Sequence, residues 1–495
     1  MYGIPSINTA GCFINMQMQK FIKDSEDIVR KCLNASFELY YIIFVGSGCT
    51  GAVNCLIRML QLSKLQSQSN SLIIVSAYEH HSNLLPWRES GLPMVRLTSR
   101  TSGKVDIQEL KAHLDNAKAE GKRLIICSLT AASNITGIVA DFDPVCEIVH
   151  KYGGYVFWDY ATAAPYIDID MDRPGLAYKD AVFLSMHKFV GGPGCPGILA
   201  VKKSILTENI TRSDVNPISI IRTGMTFRLK DLIGTEYIRA QERKAVELVK
   251  SRFGKSKVVN IVGDLNAEHR LPIFAFLIKH IQSGKLIHHN FVGKLFNDLF
   301  GIQTRTGCVC AAPYTQDLLN VFEKILASKF TDYQTHRSKD RVGTTGTASC
   351  PAQAISKPGF CRLNISYFFN KIQCKHIVDA LEFIGNHGWK FLPQYTFDSF
   401  SGSWRHRDFD RDDNPIAELM TLCNAEKVQS LILRKRLTKF EAKRLLENAF
   451  NYANEAEFNL ESDLLPIENS NYSWFLTPKQ AASYMACRSE SNWHL

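Results

Sequence analysis

The sequence of 495 residues predicts an α/β protein, with a large domain built on a mostly parallel central sheet flanked by helices and a smaller α+β domain after it. Three observations lead to this prediction. Apolar, β-branched runs alternate with stretches of helical periodicity between residues 40 and 200, as in βαβ units. The first run leads through a glycine turn into a helix. Polar residues stand at or just after the ends of the runs, where open α/β sheets bind ligands.

The composition is that of a globular protein and argues against several functional classes. Hydrophobic residues make up 45% of the chain and charged residues 21%, and no apolar run reaches the roughly 18 residues of a membrane span. The formal net charge of +10 is spread without a basic tract, so we expect no nucleic-acid or membrane partner. Fourteen scattered cysteines and the lack of a leader pattern predict reduced thiols in a cytoplasmic protein.

The first predicted elements are a helix and a strand–turn–helix unit. Residues 21–34 carry apolar side chains at helical spacing. Residues 40–54 read YYIIFVGSGCTGAVN, an apolar strand followed by a glycine turn and a helix. The N–H groups of such a turn and the helix dipole favour an anion such as phosphate, to which Cys49 and Thr50 could add contacts. The same turn is also common at βα junctions that bind nothing.

Three further apolar runs, at residues 71–78, 123–130 and 155–160, are predicted to be strands, with a helix near residues 143–151. A candidate group stands at or after the end of each run. His80 could stack on a cofactor ring or move protons, and Asn134 could bind a ring hydroxyl. Asp159 lies where a buried carboxylate needs a positive partner, such as a pyridinium nitrogen. A loop histidine and a turn asparagine also occur without any ligand.

Residues 181–203 read AVFLSMHKFVGGPGCPGILAVKK, which predicts a strand ending near Lys188, a Gly/Pro turn and a second strand. A lysine held there and partly desolvated can lose its proton near neutral pH and form a Schiff base with a carbonyl such as pyridoxal phosphate. This cofactor also needs a phosphate cradle, a carboxylate at its ring nitrogen and a planar group on its ring. Taken alone, Lys188 is more often an ordinary surface lysine.

The C-terminal half is predicted to contain a helix at residues 231–250, a strand at 271–278 and a helix at 291–300. His288 and His289 follow that strand. Because adjacent side chains of an extended chain point to opposite faces, they cannot bind one ion together there, and we expect no metal.

A loop thiol and a strand arginine are the candidate groups of this half. Cys308 and Cys310 are not followed by the second ligand pair that a zinc site needs. A thiol near Arg305 could have a lowered pKa and act as a nucleophile, and two idle cysteines fit the spacing equally well. Arg362 begins an apolar strand, and its guanidinium suits a substrate carboxylate.

These segments, in their order along the chain, resemble the class V aminotransferase family of fold type I pyridoxal-phosphate enzymes, and most of all its cysteine desulfurase and selenocysteine lyase branch. The most specific ones read GSGCTGAVN, EHHSNLLPW, SMHKFVGGPG, RTGCVCA and CRLNIS. The resemblance implies a cofactor-binding large domain at residues 1–250, with an incomplete N-terminal segment, and a small domain at 251–393. Residues 394–495 lie outside it as a charged, partly helical segment of unknown role.

The resemblance also implies a role for each candidate residue. Lys188 is the Schiff-base lysine, and Ser185, His187, Cys49 and Thr50 are expected at the phosphate. His80 is expected to stack on the ring and act in catalysis, Asp159 to bind the ring nitrogen and Asn134 to lie near the ring hydroxyl. Thr162 stands where relatives carry a glutamine or histidine that contacts the ring oxygen. Cys310 aligns with the desulfurase cysteine and Arg362 with the arginine that holds the substrate carboxylate.

The implied activity is that of a pyridoxal-phosphate enzyme acting on a small amino acid. The first expectation is conversion of L-cysteine to L-alanine with a persulfide on Cys310. A homodimer and a sulfur-acceptor protein are the expected partners. Family members carry a Gly-Thr-Pro stretch that contacts phosphate across the dimer, and residues 203–228 contain none. The alternatives are another lyase or transaminase of this family, or a degenerate non-catalytic partner subunit.

Overall fold

The computed structural model describes residues 13–62, 70–100, 102–206, 215–326, 354–408, 437–456 and 474–491. The chain divides into two compact units. The first comprises the described residues of Met1–Val246, Gly263–Ile273 and Cys310–Asp317, and the second those of Glu247–Val262, Phe274–Val309 and Leu318–Leu495. The expected boundaries at residues 250 and 393 stay predictions.

The first unit is built on a seven-stranded sheet with helices between the strands, which confirms the predicted α/β class. The strand order is β1-β7-β6-β5-β4-β2-β3. The strands are β1 (Tyr40–Val45), β2 (Ser71–Val75), β3 (Met94–Arg96), β4 (Leu124–Thr130), β5 (Tyr155–Asp159), β6 (Ala181–Ser185) and β7 (Gly197–Lys202). The helices are α1 (Phe13–Leu33), α2 (Gly48–Met59), α3 (Leu85–Glu89), α4 (Ile107–Ala119), α5 (Phe142–Lys151), α6 (Pro217–Ile233) and α7 (Thr235–Phe253), the last of which continues into the second unit.

The sheet is parallel from β2 to β6, and β7 is antiparallel to both of its neighbours, β1 and β6. The apolar pattern up to residue 200 predicted parallel strands, so β7 is an exception to it. The reason is the connection, because a short Gly/Pro turn can join antiparallel neighbours whereas parallel ones need a long crossover. The edge strand β3 was not predicted, since it has three residues, all only half-buried.

Both faces of the sheet are covered, which explains why its strands read as continuous apolar runs. Successive residues of one strand enter different cores: Ile74 of β2 belongs to one buried cluster, and Ile73 and Val75 belong to the other. Cys127 and Ile126 of β4 are divided in the same way. The sheet is therefore a rigid platform whose loops carry the polar residues.

Two helices differ in extent from the sequence expectation. The helix α1 begins at Phe13, whereas apolar spacing predicted a helix over 21–34. The single helix predicted at 231–250 is the end of α6 followed by α7. They are separated by Gly234, whose φ of +81° is a conformation that ends a helix and that glycine adopts without strain.

The second unit contains a four-stranded sheet of order β10-β11-β9-β8, with a two-stranded hairpin β12–β13 and helices. Its strands are β8 (Val259–Ile261), β9 (Ile273–Ile278), β10 (Arg305–Gly307), β11 (Phe360–Asn364), β12 (Tyr395–Phe397) and β13 (Trp404–His406). Its helices are α8 (His289–Phe300), α9 (Ala312–Leu326), α10 (Lys371–His387), α11 (Lys439–Glu455) and α12 (Pro478–Ser491), and α9 begins within the first unit. None of the described helices combines the length and apolar character needed to cross a membrane.

The described parts of residues 394–495 pack into the core of the second unit. Leu286 donates its N–H to the carbonyl of Trp474 at 3.3 Å and accepts the N–H of Leu476 at 2.8 Å. Phe475, between them, is 0% exposed. On α11, Phe450 makes an edge-to-face contact with Phe383 of α10, with 4.9 Å between the ring centroids. These C-terminal elements therefore contribute to the folding of the second unit.

Candidate functional site

The candidate residues of the first unit follow the carboxyl ends of its strands. Residues 46–50 follow β1, residues 76–83 follow β2, and residues 186–188 follow β6. Asp159 is the last residue of β5, and Thr130, its partner in the register, is the last of β4. The neighbouring order β6-β5-β4-β2 brings four of these ends side by side at the edge where α/β sheets bind ligands.

The start of α2 meets the end of β6 in a narrow cradle. Cys49 donates its backbone N–H to Ser185 Oγ at 3.0 Å. A Cβ placed on Gly48 would lie 2.8 Å from His187 Cε1 and 2.9 Å from Ser185 Oγ, so only glycine permits this approach. Gly48 also has a φ of +63°, which glycine adopts without strain. A helix start beside a hydroxyl and an imidazole is suited to bind a phosphate group.

The thiol of Cys49 lies inside this cradle and is buried. Burial raises its pKa well above the ordinary value, and the charge of Asp159 adds to the effect. The side chains of Ser185 and Asp159 are within hydrogen-bonding reach of the thiol. Cys49 is therefore a neutral thiol that lies near both Ser185 and the end of β5.

His80 is fixed by a chain of hydrogen bonds to the same helix. Its Nδ1 accepts the backbone N–H of Ser82 at 3.1 Å and lies 2.9 Å from Ser82 Oγ. Thr50 Oγ1 in turn donates to Ser82 Oγ at 2.8 Å. Because Nδ1 is an acceptor, the neutral ring carries its proton on Nε2. The predicted ring-stacking histidine and the predicted phosphate residue are thus linked through Ser82, which the sequence did not single out.

Asp159 is a buried carboxylate with few protein partners. It is 2% exposed, and its Oδ1 accepts the backbone N–H of Ala161 at 2.8 Å. Among the residues that the structure describes, no lysine, arginine or histidine forms an ion pair with Asp159. A buried carboxylate without a cation is costly. The Asp159 carboxylate therefore fits a ligand that brings a protonated ring nitrogen.

Glu79 is a second buried carboxyl near Asp159, and sequence reasoning missed it. Its two oxygens accept hydrogen bonds from Ser76 Oγ, from the backbone N–H of Thr130 at 2.7 Å and from Asn83 Nδ2 at 2.7 Å. The pKa of Glu79 is raised from 4.5 to about 8. Burial is the main cause, the hydrogen bonds oppose the shift, and the charge of Asp159 contributes to it. The sequence signal that could have identified Glu79 is its position at the end of an apolar strand, directly before His80.

Lys188 ends a short 3-10 helix, Met186–Lys188, directly after the buried strand β6. Burial lowers the pKa of the His187 ring, and the charge of Lys188 lowers it further. The same charge acts to lower the pKa of the Cys49 thiol, against the larger effect of burial. The Lys188 side chain is exposed in this chain, whereas partial desolvation was expected from the sequence. The 3-10 turn carries it beyond the buried end of β6.

The Cys310–Asp317 segment belongs to the first unit and contacts the residues that follow β2. The carbonyl of Cys310 accepts the N–H of His81 at 2.8 Å, and the N–H of Ala312 donates to His81 Nε2 at 3.2 Å. The rings of Tyr314 and Tyr78 meet edge to face at 4.9 Å. The predicted thiol and the predicted ring-stacking histidine therefore lie on directly contacting segments.

The comparisons with known proteins agree with this arrangement. The family model described as Aminotransferase class-V matches residues 11–213. These residues therefore resemble the class V aminotransferase family. A probable cysteine desulfurase of Borreliella burgdorferi is 24% identical over 371 residues, which are 68% of this chain and 82% of that protein. A cysteine desulfurase of Dickeya dadantii is 26% identical over 306 residues, which are 55% of this chain and 68% of that protein.

Solved structures of other proteins share the fold of this chain. The apo structure of a cysteine desulfurase from Thermococcus onnurineus NA1 has a TM-score of 0.59 at 17% identity and covers 77% of this chain and 89% of its own. A NifS-like protein from Rickettsia africae has a TM-score of 0.57 at 18% identity and covers 77% of this chain and 91% of its own. These similarities confirm the predicted fold type I architecture.

The roles of Asn134, Thr162 and Arg362, like those of the other predicted site residues, stay predictions. Asn134 is half-buried after β4, and Thr162 is half-buried after β5. Arg362 lies in the second unit, half-buried on β11, where it is the register partner of Arg305 on β10.

The His288–His289 pair is placed differently from the sequence argument. The two residues lie at the start of α8 instead of in a strand, and their rings are stacked with centroids 4.3 Å apart. His288 Nδ1 accepts the N–H of Asn290 at 3.1 Å, and its Nε2 donates to the carbonyl of Ile355 at 3.0 Å. His288 therefore caps a helix. Within the described residues, no group of three or more His, Cys, Asp or Glu could hold a metal ion.

Proposed function

We propose that this protein is a pyridoxal-phosphate-dependent enzyme that removes sulfur from L-cysteine, giving L-alanine and a persulfide on Cys310. The observation that carries the proposal is the contact between two segments of the first unit. The turn that bears Cys310 is hydrogen-bonded to His81, which directly follows the histidine expected on the cofactor ring. The cysteine desulfurase names of the relatives support the same choice.

The residues of the first unit fit the cofactor that this activity needs. The N-terminal end of α2, Ser185 and His187 would hold the phosphate group, with Thr50 beside them. His80 would cover one face of the ring, and Asp159 would keep a proton on the ring nitrogen. Bound pyridoxal phosphate supplies an electron-withdrawing ring that stabilises negative charge at the substrate α-carbon.

The side chains of this chain would supply the remaining steps. Lys188 would anchor the cofactor and, once displaced by substrate, would move the α-proton as a general base. Arg362 would hold the substrate carboxylate in two hydrogen bonds and so orient the reacting bonds. The thiolate of Cys310 would attack the substrate sulfur, so that an S–S bond forms as the Cβ–S bond breaks. The electron pair of the broken bond would stay on the substrate Cβ. This carbon would take up a proton, and the product would be alanine.

A second thiol in the same unit is unsuited to this attack. Cys49 is buried, and its pKa is raised well above the ordinary value by burial and by Asp159. The thiolate is the nucleophilic form of cysteine, so Cys49 stays protonated and unreactive. Cys310 is half-buried and lies on a turn, and it is the thiol that substrate sulfur could reach.

The test uses the full-length protein incubated with pyridoxal phosphate, L-cysteine and a dithiol reductant. We expect the visible absorption of a lysine-bound cofactor, and release of alanine and sulfide in equal amounts. Lys188→Ala should abolish both readouts. Cys310→Ser should lower turnover by roughly 100-fold or more while the absorption remains. Cys308→Ser, two residues away, is the matched control and should retain most of the activity.

Two outcomes would favour the alternatives. Turnover that survives Cys310→Ser but requires Lys188 would indicate another lyase or transaminase of the class V family. A protein that stays colourless with added cofactor and releases no alanine would indicate a non-catalytic partner subunit. Either result refutes sulfur transfer through Cys310.

The proposal includes a homodimer, a sulfur-acceptor protein and a cytoplasmic location. The helix α6 supports the dimer, because it leaves a row of large apolar side chains exposed. The exposed fractions are 53% for Ile218, 68% for Met225, 39% for Leu229 and 69% for Leu232. Their spacing places them along one side of the helix, and an exposed apolar stripe of this kind is typical of an interface.

A further inference from the structure

The two adjacent histidines after β2 have different partners. His80 is tied through Ser82 to the start of α2. His81 contacts the Cys310–Asp317 segment with both its backbone and its ring. Its N–H donates to the carbonyl of Cys310 at 2.8 Å, and its Nε2 accepts the N–H of Ala312 at 3.2 Å. One residue therefore holds the chain on both sides of Ala311.

The ring contact requires a neutral imidazole. Nε2 accepts a hydrogen bond, so the proton of the neutral ring is on Nδ1. A protonated ring has no acceptor and would place an N–H against the N–H of Ala312. Burial lowers the pKa of His81, and the charge of Arg88 on α3 lowers it further. The neighbouring ring of His80, whose centroid is 6.3 Å away, is the other titratable group beside it.

The other contacts of the segment lie further along the chain. Tyr314 packs on Tyr78, and Asp317 forms an ion pair with Arg96. Arg96 is held in turn by the carbonyl of Ala77 at 2.8 Å. Cys310 has a φ of +59°, a conformation that a residue with a side chain adopts only when its surroundings hold it. At the Cys310 end of the segment, His81 makes two hydrogen bonds, one through its backbone N–H and one through Nε2.

We infer that His81 is a positioning residue for the Cys310 thiol, and that protonation of its ring releases the thiol-bearing turn as the pH falls. Only the catalytic meaning of this contact rests on the proposed function. The sign follows from the contact itself. The neutral ring, which predominates above the ordinary histidine pKa, makes both hydrogen bonds, whereas the charged ring that forms on acidification keeps only the backbone one.

The first test measures the thiol directly and needs neither cofactor nor activity. In the full-length cofactor-free protein, the rate of Cys310 alkylation by iodoacetamide is followed by mass spectrometry of the peptide. His81→Phe keeps the ring bulk and removes the acceptor. At about pH 7.5 we expect it to alkylate about fivefold faster than wild type, the effect of one net hydrogen bond. As the pH falls through the lowered pKa of His81, the two rates should converge, because the wild-type ring becomes protonated.

Two further variants distinguish a specific effect of His81 on the Cys310 turn from a general loosening of the protein. His81→Gln offers an amide oxygen that accepts a hydrogen bond and does not titrate. Its alkylation rate should therefore stay near wild type at about pH 7.5 and fall below wild type once the pH drops through the lowered pKa of His81. His113→Gln, on α4, replaces a histidine that is not part of this contact and should match wild type at every pH. Equal rates for wild type and His81→Phe at the higher pH, or a ratio that does not change with pH, would overturn the inference.

The second test asks whether the contact matters for turnover. With cofactor bound, His81→Phe should lower alanine release from cysteine about tenfold while its visible absorption stays that of wild type. His81→Gln should restore turnover and move the acidic limb of the pH profile to lower pH. A wild-type protein that releases no alanine would refute the proposed function, while the alkylation rates would still decide the role of His81.

Discussion

Replacing Glu79 tests the pair of buried carboxyl groups formed by Glu79 and Asp159. Glu79→Gln is nearly isosteric and does not titrate. Its amide oxygen can still accept from Ser76 and from the N–H of Thr130, but its NH2 group then faces Asn83 Nδ2. Asn83 cannot turn over to relieve this contact, because its Oδ1 already accepts from Trp87 and Ser128. The substitution therefore has a pH-independent cost of about 1–3 kcal/mol.

A pH-dependent effect is superimposed on this cost. Burial raises the pKa of Glu79 from 4.5 to about 8, so the folded chain holds a proton that the unfolded chain loses across this window. The free energy of unfolding of the wild type therefore falls as pH rises through the window and levels off above it. One pKa unit corresponds to about 1.4 kcal/mol. Between about pH 5.5 and 7.5, the wild-type advantage over Glu79→Gln should shrink by roughly 2–3 kcal/mol.

Chemical denaturation of both full-length, cofactor-free proteins at several pH values measures this difference. The other ionisable groups are common to the pair, so their contributions largely cancel. Glu89→Gln, at an exposed position of α3, is the matched control and should show no such trend. A difference that stays constant with pH would refute the raised pKa. A difference that grows with pH only below about pH 4.5 would show that the three hydrogen-bond donors outweigh burial and hold Glu79 ionised.

Three further predictions concern the cradle, the dimer and the C-terminal elements. Gly48→Ala and Gly121→Ala share a positive φ, 63° and 69°, but only the first Cβ meets side chains, so we expect the first alone to weaken cofactor affinity at least about tenfold in a fluorescence titration. Leu232→Glu should convert a dimer to a monomer in light scattering, and an unchanged mass would contradict the α6 interface. Phe475→Ala should destabilise the second unit by about 3–5 kcal/mol in calorimetry, whereas Phe440→Ala, at a side chain 73% exposed, should not.

The sheet could be predicted because its strands are buried on both faces. Strands such as β4 and β6 are buried on both faces and therefore appear in the sequence as continuous apolar runs. The polar residues after them indicate the edge of the sheet where ligands are expected. The direction of β7 depends on the Gly/Pro turn before it, which the parallel pattern of the preceding strands does not indicate. The edge strand β3 gave no signal, because it is too short for alternation.

The site was predicted where one residue carries the chemistry and was missed where the partner is a distant backbone group. Asp159 ends a strand, so its position alone raised the question of a cation. Glu79 and His81 are defined instead by N–H groups of Thr130 and Ala312, which lie 51 and 231 residues away. No local pattern records such a pairing, since a backbone N–H is present at nearly every position.

The residues after β2 show why both kinds of contact belong to one site. Within a few positions, this stretch binds the end of β4 through Glu79, the start of α2 through His80 and Ser82, and the Cys310 turn through His81. Side chains that project from one short, well-packed stretch cannot move independently, because its backbone fixes their separation. The position of the proposed nucleophile is therefore set by the same residues that set the position of the proposed ring-stacking histidine. Sulfur transfer needs this geometry, since the thiol must reach a substrate that is held on the ring.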